Sequence, residues 1–128
     1  MATTFTNLLA HVVFSTKHRQ PLIEATWQDE LYGYIGGIIR NRGGILLAAG
    51  GMPDHVHLLL KWPADTALAA LIRDVKAVSS GWRHENGDAD FGWQTGYGGF
   101  SVSESAVPDV TEYIRRQEEH HRKPTFTF

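Results

Sequence analysis

His55 and His57 stand two residues apart in the run Asp54-His55-Val56-His57-Leu58-Leu59-Leu60. In an extended strand, side chains at i and i+2 point to the same face. Two imidazoles so placed can bind one divalent ion and leave it open positions. The competing reading is a pair of hydrogen-bonded structural histidines, in a chain that has seven histidines in all. Tyr113 and Gln117 form a second pair, four apart, and share a face if their segment is helical. Val110 and Ile114 lie on nearly the same side, so the pair is expected to turn inward, toward the sheet or a partner subunit. The competing reading here is a packed tyrosine ring with Gln117 as a solvated neighbour.

Brought into one site, the two pairs define a chemistry. A phenol with a pKa of about 10 is a weak nucleophile at neutral pH. A cation on His55 and His57, with Gln117 as an oxygen ligand, withdraws charge from the group under attack and stabilises the negative charge that develops. Imidazoles lean toward Zn²⁺ or Mn²⁺; amide and phosphate oxygens lean toward Mg²⁺ or Mn²⁺. A hydrolase in which bound water attacks is the alternative enzyme. It is disfavoured because no acidic residue offers itself as a general base: Asp54 adjoins the histidines but, by strand alternation, points to the other face. His11 lies on a central strand, where it can approach His57 or sit as a satisfied core histidine.

The elements that must position these residues follow from periodicity. Leu8 to Ser15 is apolar on both faces and reads as a central strand. Thr26 opens a helix, with Asp29 placed as in a capping box. Trp27, Leu31, Tyr34, Ile35 and Ile38 recur at helical spacing until Gly43 and Gly44 stop it. Ile45 to Ala49 and Val56 to Trp62 read as strands joined by a turn over residues 50–54. A second helix spans about Ala67 to His84, with Leu68, Leu71, Ile72, Val75 and Trp82 on one side and Arg73, Lys76, Ser80 and Arg83 on another. A fourth strand falls within Phe100 to Ser103, and Pro108 begins a last helix that runs to about Arg122. The order predicts an α+β fold: a ferredoxin-like, split βαβ antiparallel sheet with helices on one face and an extra C-terminal helix carrying the tyrosine. One domain is expected over residues 1–128, with the core in 1–104 and the tyrosine helix and tail in 105–128.

Composition limits what such a fold serves. The chain of 128 residues has no cysteine, which excludes disulfides and thiolate metal sites and fits a reducing cytoplasm. Met1 to Asn7 is polar and short, and no apolar run could span a bilayer, so neither signal peptide nor membrane is expected. A formal net charge of -2 argues against non-specific, purely electrostatic binding of nucleic acid. Local basic clusters nevertheless make Lys17, Arg19, Arg73, Lys76 and Arg83 candidates for phosphate contacts, with a solvated helix face as the plainer reading. Trp62, Trp82, Trp93 and Tyr97 are candidates for stacking on bases, although the register of Trp82 points to the core.

His55-Val56-His57 after Met52-Pro53-Asp54 resembles the HUH motif, and Tyr113-Ile114-Arg115-Arg116-Gln117 resembles the tyrosine helix of the single-tyrosine HUH transposases of bacterial insertion sequences. The REP-associated tyrosine transposases are their relatives. Val12-Val13-Phe14-Ser15-Thr16-Lys17 and Trp93-Gln94-Thr95-Gly96-Tyr97-Gly98 also look like that family, so the resemblance covers nearly the whole chain. It implies an enzyme that recognises hairpins in single-stranded DNA, cleaves through a 5′-phosphotyrosine link and rejoins strands. It also implies Mg²⁺ or Mn²⁺ on His55, His57 and Gln117, with Tyr113 as nucleophile. A homodimer is implied as well, with a tyrosine helix docked through a flexible connection, for which Ser103 to Ala106 is the best candidate. His121, one turn beyond Gln117, is a candidate further ligand or phosphate contact. A binding module without chemistry, holding single-stranded nucleic acid on the sheet, is the alternative to catalysis.

Overall fold

The computed structural model describes residues 4–117. Its elements are β1 (Leu8–Ser15), α1 (Gln28–Asn41), β2 (Ile45–Met52), β3 (His55–Trp62), α2 (Leu68–Glu85), β4 (Gly98–Ser101) and α3 (Val107–Arg115). The four strands form one antiparallel sheet in the order β2-β3-β1-β4. The first and third strands are therefore central, as the split βαβ plan requires. Among the described residues, no helix is long and apolar enough to cross a membrane.

Period-2 alternation divides the sheet. Val12, Phe14, Val56, Leu58 and Leu60 point to one face, where Leu31, Ile35 and Ile39 of α1 and Leu71, Ile72 and Val75 of α2 cover them in one buried cluster. His11, His55, His57 and Leu59 belong to the opposite set of positions. α3 packs on that second face, as the inward turn of Tyr113 and Gln117 requires. Ile114, fully buried, sits with Ala48 and Leu59 in a separate and much smaller cluster. Burying one such isoleucine contributes roughly 1.5–3 kcal/mol.

The differences from the expected elements have physical causes. α1 begins at Gln28, and its cap residue Trp27 makes no side-chain capping bond, so the Thr26–Asp29 box does not form. Trp27 instead packs into the main core. β2 runs on through Gly50 and Gly51 to Met52, which pairs with His55 across a two-residue Pro53-Asp54 turn. These glycines are strand residues, and Gly50 provides clearance, since a Cβ there would lie 2.2 Å from the Ile114 carbonyl oxygen. Only glycine lets α3 come down onto β2. Gly50→Ala is therefore expected to lift α3 and lower stability by about 1–3 kcal/mol. An unchanged urea midpoint would show that α3 does not bear on this strand. β4 spans Gly98–Ser101, so it starts two residues before the expected Phe100. The predicted extension of the last helix to about Arg122 falls outside the described residues, as does His121.

Candidate active site

His55 and His57 are almost wholly buried, at 1% and 0% exposure, on the face beneath α3. Their ring centroids lie 5.1 Å apart, so two same-face strand positions do bring the imidazoles together. α3 delivers Tyr113 to the same place. Its ring is 5.9 Å from that of His57 and 5.9 Å from that of His11, edge-on to both. Gln117, one turn past Tyr113, is 1% exposed, and its amide nitrogen donates to the Tyr113 carbonyl oxygen at 3.1 Å. The amide oxygen Oε1 is buried with no hydrogen-bond partner among the described residues. A buried acceptor left so costs about 1–3 kcal/mol. It suits an oxygen ligand to a cation.

The cation-binding capacity of these residues is specific in kind. Among the described residues, no group of three or more His, Cys, Asp or Glu side chains is arranged to hold a metal ion. Two imidazoles and one amide oxygen make an incomplete donor set, which substrate oxygens would have to complete. That composition fits Mn²⁺ or Mg²⁺ better than a closed zinc site.

His11 and Asp54 also reach the site, the first as its strand position allows and the second against expectation. His11 Nε2 lies 2.8 Å from His57 Nδ1. Burial pushes the His11 ring below the usual histidine range, which favours its neutral form. Asp54 Oδ1 lies 2.7 Å from His55 Nδ1, which corrects the expectation that Asp54 faces away. Residue 54 belongs to the turn, so strand alternation does not govern it. The turn is fastened from outside: the backbone N–H of Thr16 donates to the Asp54 carbonyl at 2.9 Å, and that of Ile23 to the Pro53 carbonyl at 2.9 Å. Burial opposes ionisation of Asp54. The hydrogen bond from His55, with the charges of His55 and Arg19, outweighs it and holds the carboxyl below its usual range.

The basic candidates separate. Arg19 lies 3.5 Å from Asp54 Oδ2 and so borders the histidine site. It and His18 adopt left-handed backbone, at φ 54° and 56°, which non-glycine residues rarely do. Lys17 and Arg73 are exposed. Lys76 donates to the carbonyl oxygens of Gln94 and Gly96, so it fastens the segment before β4. Arg83 is buried rather than aligned with the solvated face. Its guanidinium stacks 3.8 Å over Trp27 and lies 3.5 Å from Asp88. That packing withdraws it from the set of DNA-facing candidates. Trp82 stacks on Tyr34 and packs against the core, and Trp93 lies edge-on to Phe14. Ser103 to Ala106, cast as a flexible connection, contains a 3-10 turn whose Glu104 accepts a 2.7 Å hydrogen bond from Asn7.

A family model described as transposase IS200 like matches residues 4–117. No curated protein matches the chain. Among solved structures, a protein provisionally described as a transposase, from Deinococcus radiodurans R1, is 23% identical with a TM-score of 0.72. The match covers 89% of this chain and 93% of that one. A REP-associated tyrosine transposase bound to a REP hairpin is 17% identical with a TM-score of 0.64, over 89% of this chain and 68% of that one. At such identities the likeness establishes a shared fold.

Proposed function

Since this chain belongs to the family of IS200-like transposases, we propose that it cleaves and rejoins single-stranded DNA at hairpin-bearing ends through a 5′-phosphotyrosine intermediate. Tyr113 is the nucleophile, and His55, His57 and Gln117 hold Mg²⁺ or Mn²⁺. The observation that carries this reading is the placement of the Tyr113 ring 5.9 Å from that of His57, over the buried histidine pair. The hairpin substrate is supported by the neighbour that was solved bound to a REP hairpin.

In the first step the Tyr113 oxygen bonds to phosphorus and the bond from phosphorus to the 3′-oxygen breaks. The phenolic proton is lost to solvent, and the departing oxygen takes up a proton to become a 3′-hydroxyl. The phosphodiester is exchanged for a phosphotyrosine ester of similar energy, so the reverse attack by a 3′-hydroxyl reseals a strand without ATP. A bound cation would supply Lewis-acid polarisation of the scissile phosphate. Arg19, at the rim of the site, contacts a phosphate beside it, and exposed Lys17 and Arg73 contact phosphates further along. The chain acts as a homodimer in the cytoplasm.

The test is incubation with hairpin-ended, radiolabelled single-stranded DNA and Mn²⁺. DNA that stays with the denatured protein on a gel is the expected result. Cut DNA without an adduct would instead mean that water attacks and the protein is a hydrolase.

A further inference from the structure

The two histidines of the site are held from behind by chemically different partners. Asp54 Oδ1 faces His55 Nδ1 at 2.7 Å, and His11 Nε2 faces His57 Nδ1 at 2.8 Å. We propose that Asp54 and His11 are positioning residues: each fixes the proton of one site histidine on Nδ1, so that both Nε2 atoms are presented to a single cation. This inference rests on the reading of His55 and His57 as cation ligands.

An imidazole that ligates through Nε2 in its neutral form must carry its proton on Nδ1. A carboxylate only accepts, so the bond to Asp54 requires a proton on His55 Nδ1. Between two imidazoles either ring could donate. For His57 to ligate through Nε2, its Nδ1–H must donate to His11 Nε2, which places the proton of His11 on its own Nδ1.

Both partners are themselves held. Asp54 sits in a turn bonded to Thr16, whose hydroxyl donates to the Asp54 carbonyl at 3.1 Å, and its second carboxylate oxygen is 3.5 Å from the Arg19 guanidinium. His11 stands among the rings of His57, Tyr113 and Phe100, with centroids 5.1, 5.9 and 6.1 Å away. The side chain that sets the His57 tautomer is thus also a wall of the tyrosine's place. The two ligands are unequal as a result. A carboxylate partner makes His55 the more basic donor, while a neutral imidazole does less for His57.

The test begins with metal-free protein labelled with nitrogen-15, because long-range nitrogen–proton NMR spectra read imidazole tautomers without any activity. The Nδ1–H tautomer is expected at both His55 and His57. His11→Phe should disturb the tautomer of His57 alone, and Asp54→Ala that of His55 alone. In a calorimetric titration with Mn²⁺, each variant should bind about 10- to 100-fold more weakly than the wild type. His11→Gln, whose amide oxygen can accept the same proton, should recover most of that loss. An Nε2–H tautomer in the wild type, or His11→Phe and Asp54→Ala binding Mn²⁺ as the wild type does, would overturn the proposal. The expected tautomers without affinity for Mn²⁺ would support the positioning roles and overturn the cation reading of the site. If His11→Phe does not fold, the wild-type spectra and Asp54→Ala still decide.

Discussion

Tyr113→Phe is expected to abolish the covalent protein–DNA adduct and slow strand cleavage by on the order of 10⁴-fold or more. The substitution removes one oxygen and keeps the ring. That ring packs against the Ala48, Leu59 and Ile114 cluster and stands edge-on to His11 and His57, and these contacts survive in phenylalanine. Stability should therefore change by no more than about 1.5 kcal/mol, the worth of one hydrogen bond, and the thermal melt separates a lost adduct from lost folding. The measurement is a denaturing gel of radiolabelled hairpin DNA, run beside a thermal melt. Cleavage at the wild-type rate would remove Tyr113 from the mechanism. It would leave the family and fold untouched and favour a site that uses water, or none at all.

The second large effect is expected at His57. His57→Ala should lower cleavage by at least about 100-fold and abolish the response to Mn²⁺, while hairpin binding stays within a few-fold of wild type. The reason is spatial. His57 lies at 0% exposure beneath α3, whereas exposed Lys17 and Arg73 are among the basic side chains available to phosphates away from the histidines. Removing a buried imidazole also opens a cavity and strips His11 of its partner, so His57→Gln is the companion variant that keeps most of the volume. Hairpin affinity is read by gel shift without metal. An equal loss of binding and cleavage would mean that His57 supports the DNA-binding surface itself.

Much of this arrangement was legible in the sequence, and the remainder was not for definable reasons. Leu8 to Ser15 was legible as a central strand because it is buried on both sides and so reads as apolar on both faces, and Val56 to Trp62 as a strand that the split βαβ plan makes central. The i, i+2 histidines and the i, i+4 pair of Tyr113 and Gln117 lie on the faces that simple periodicity assigned. Asp54 was misjudged because alternation holds within a strand and fails at its first turn residue. Gly50 and Gly51 were read as turn because glycine most often serves conformation. Here Gly50 serves clearance for a helix 64 residues further along the chain, at Ile114, and no local pattern carries that information. Arg83 was misplaced for a related reason. A helical wheel separates charged from apolar, yet a guanidinium is flat enough to lie over an indole and be buried with it.

The two apolar clusters give the protein two energetic tiers. The larger one unites the sheet with α1 and α2, and breaking it is unfolding. The smaller one, Ala48, Leu59 and Ile114 with Leu47, Val102, Val107, Val110 and Tyr113 packed against it, joins α3 to the sheet. Parting that seam exposes less apolar surface than breaking the larger cluster, so among the described helices α3 is expected to open first. Tyr113, the proposed nucleophile, therefore rides on the helix held by the smaller of the two clusters. On that reading, the free energy of one small seam sets the fraction of time for which Tyr113 stands over the histidines.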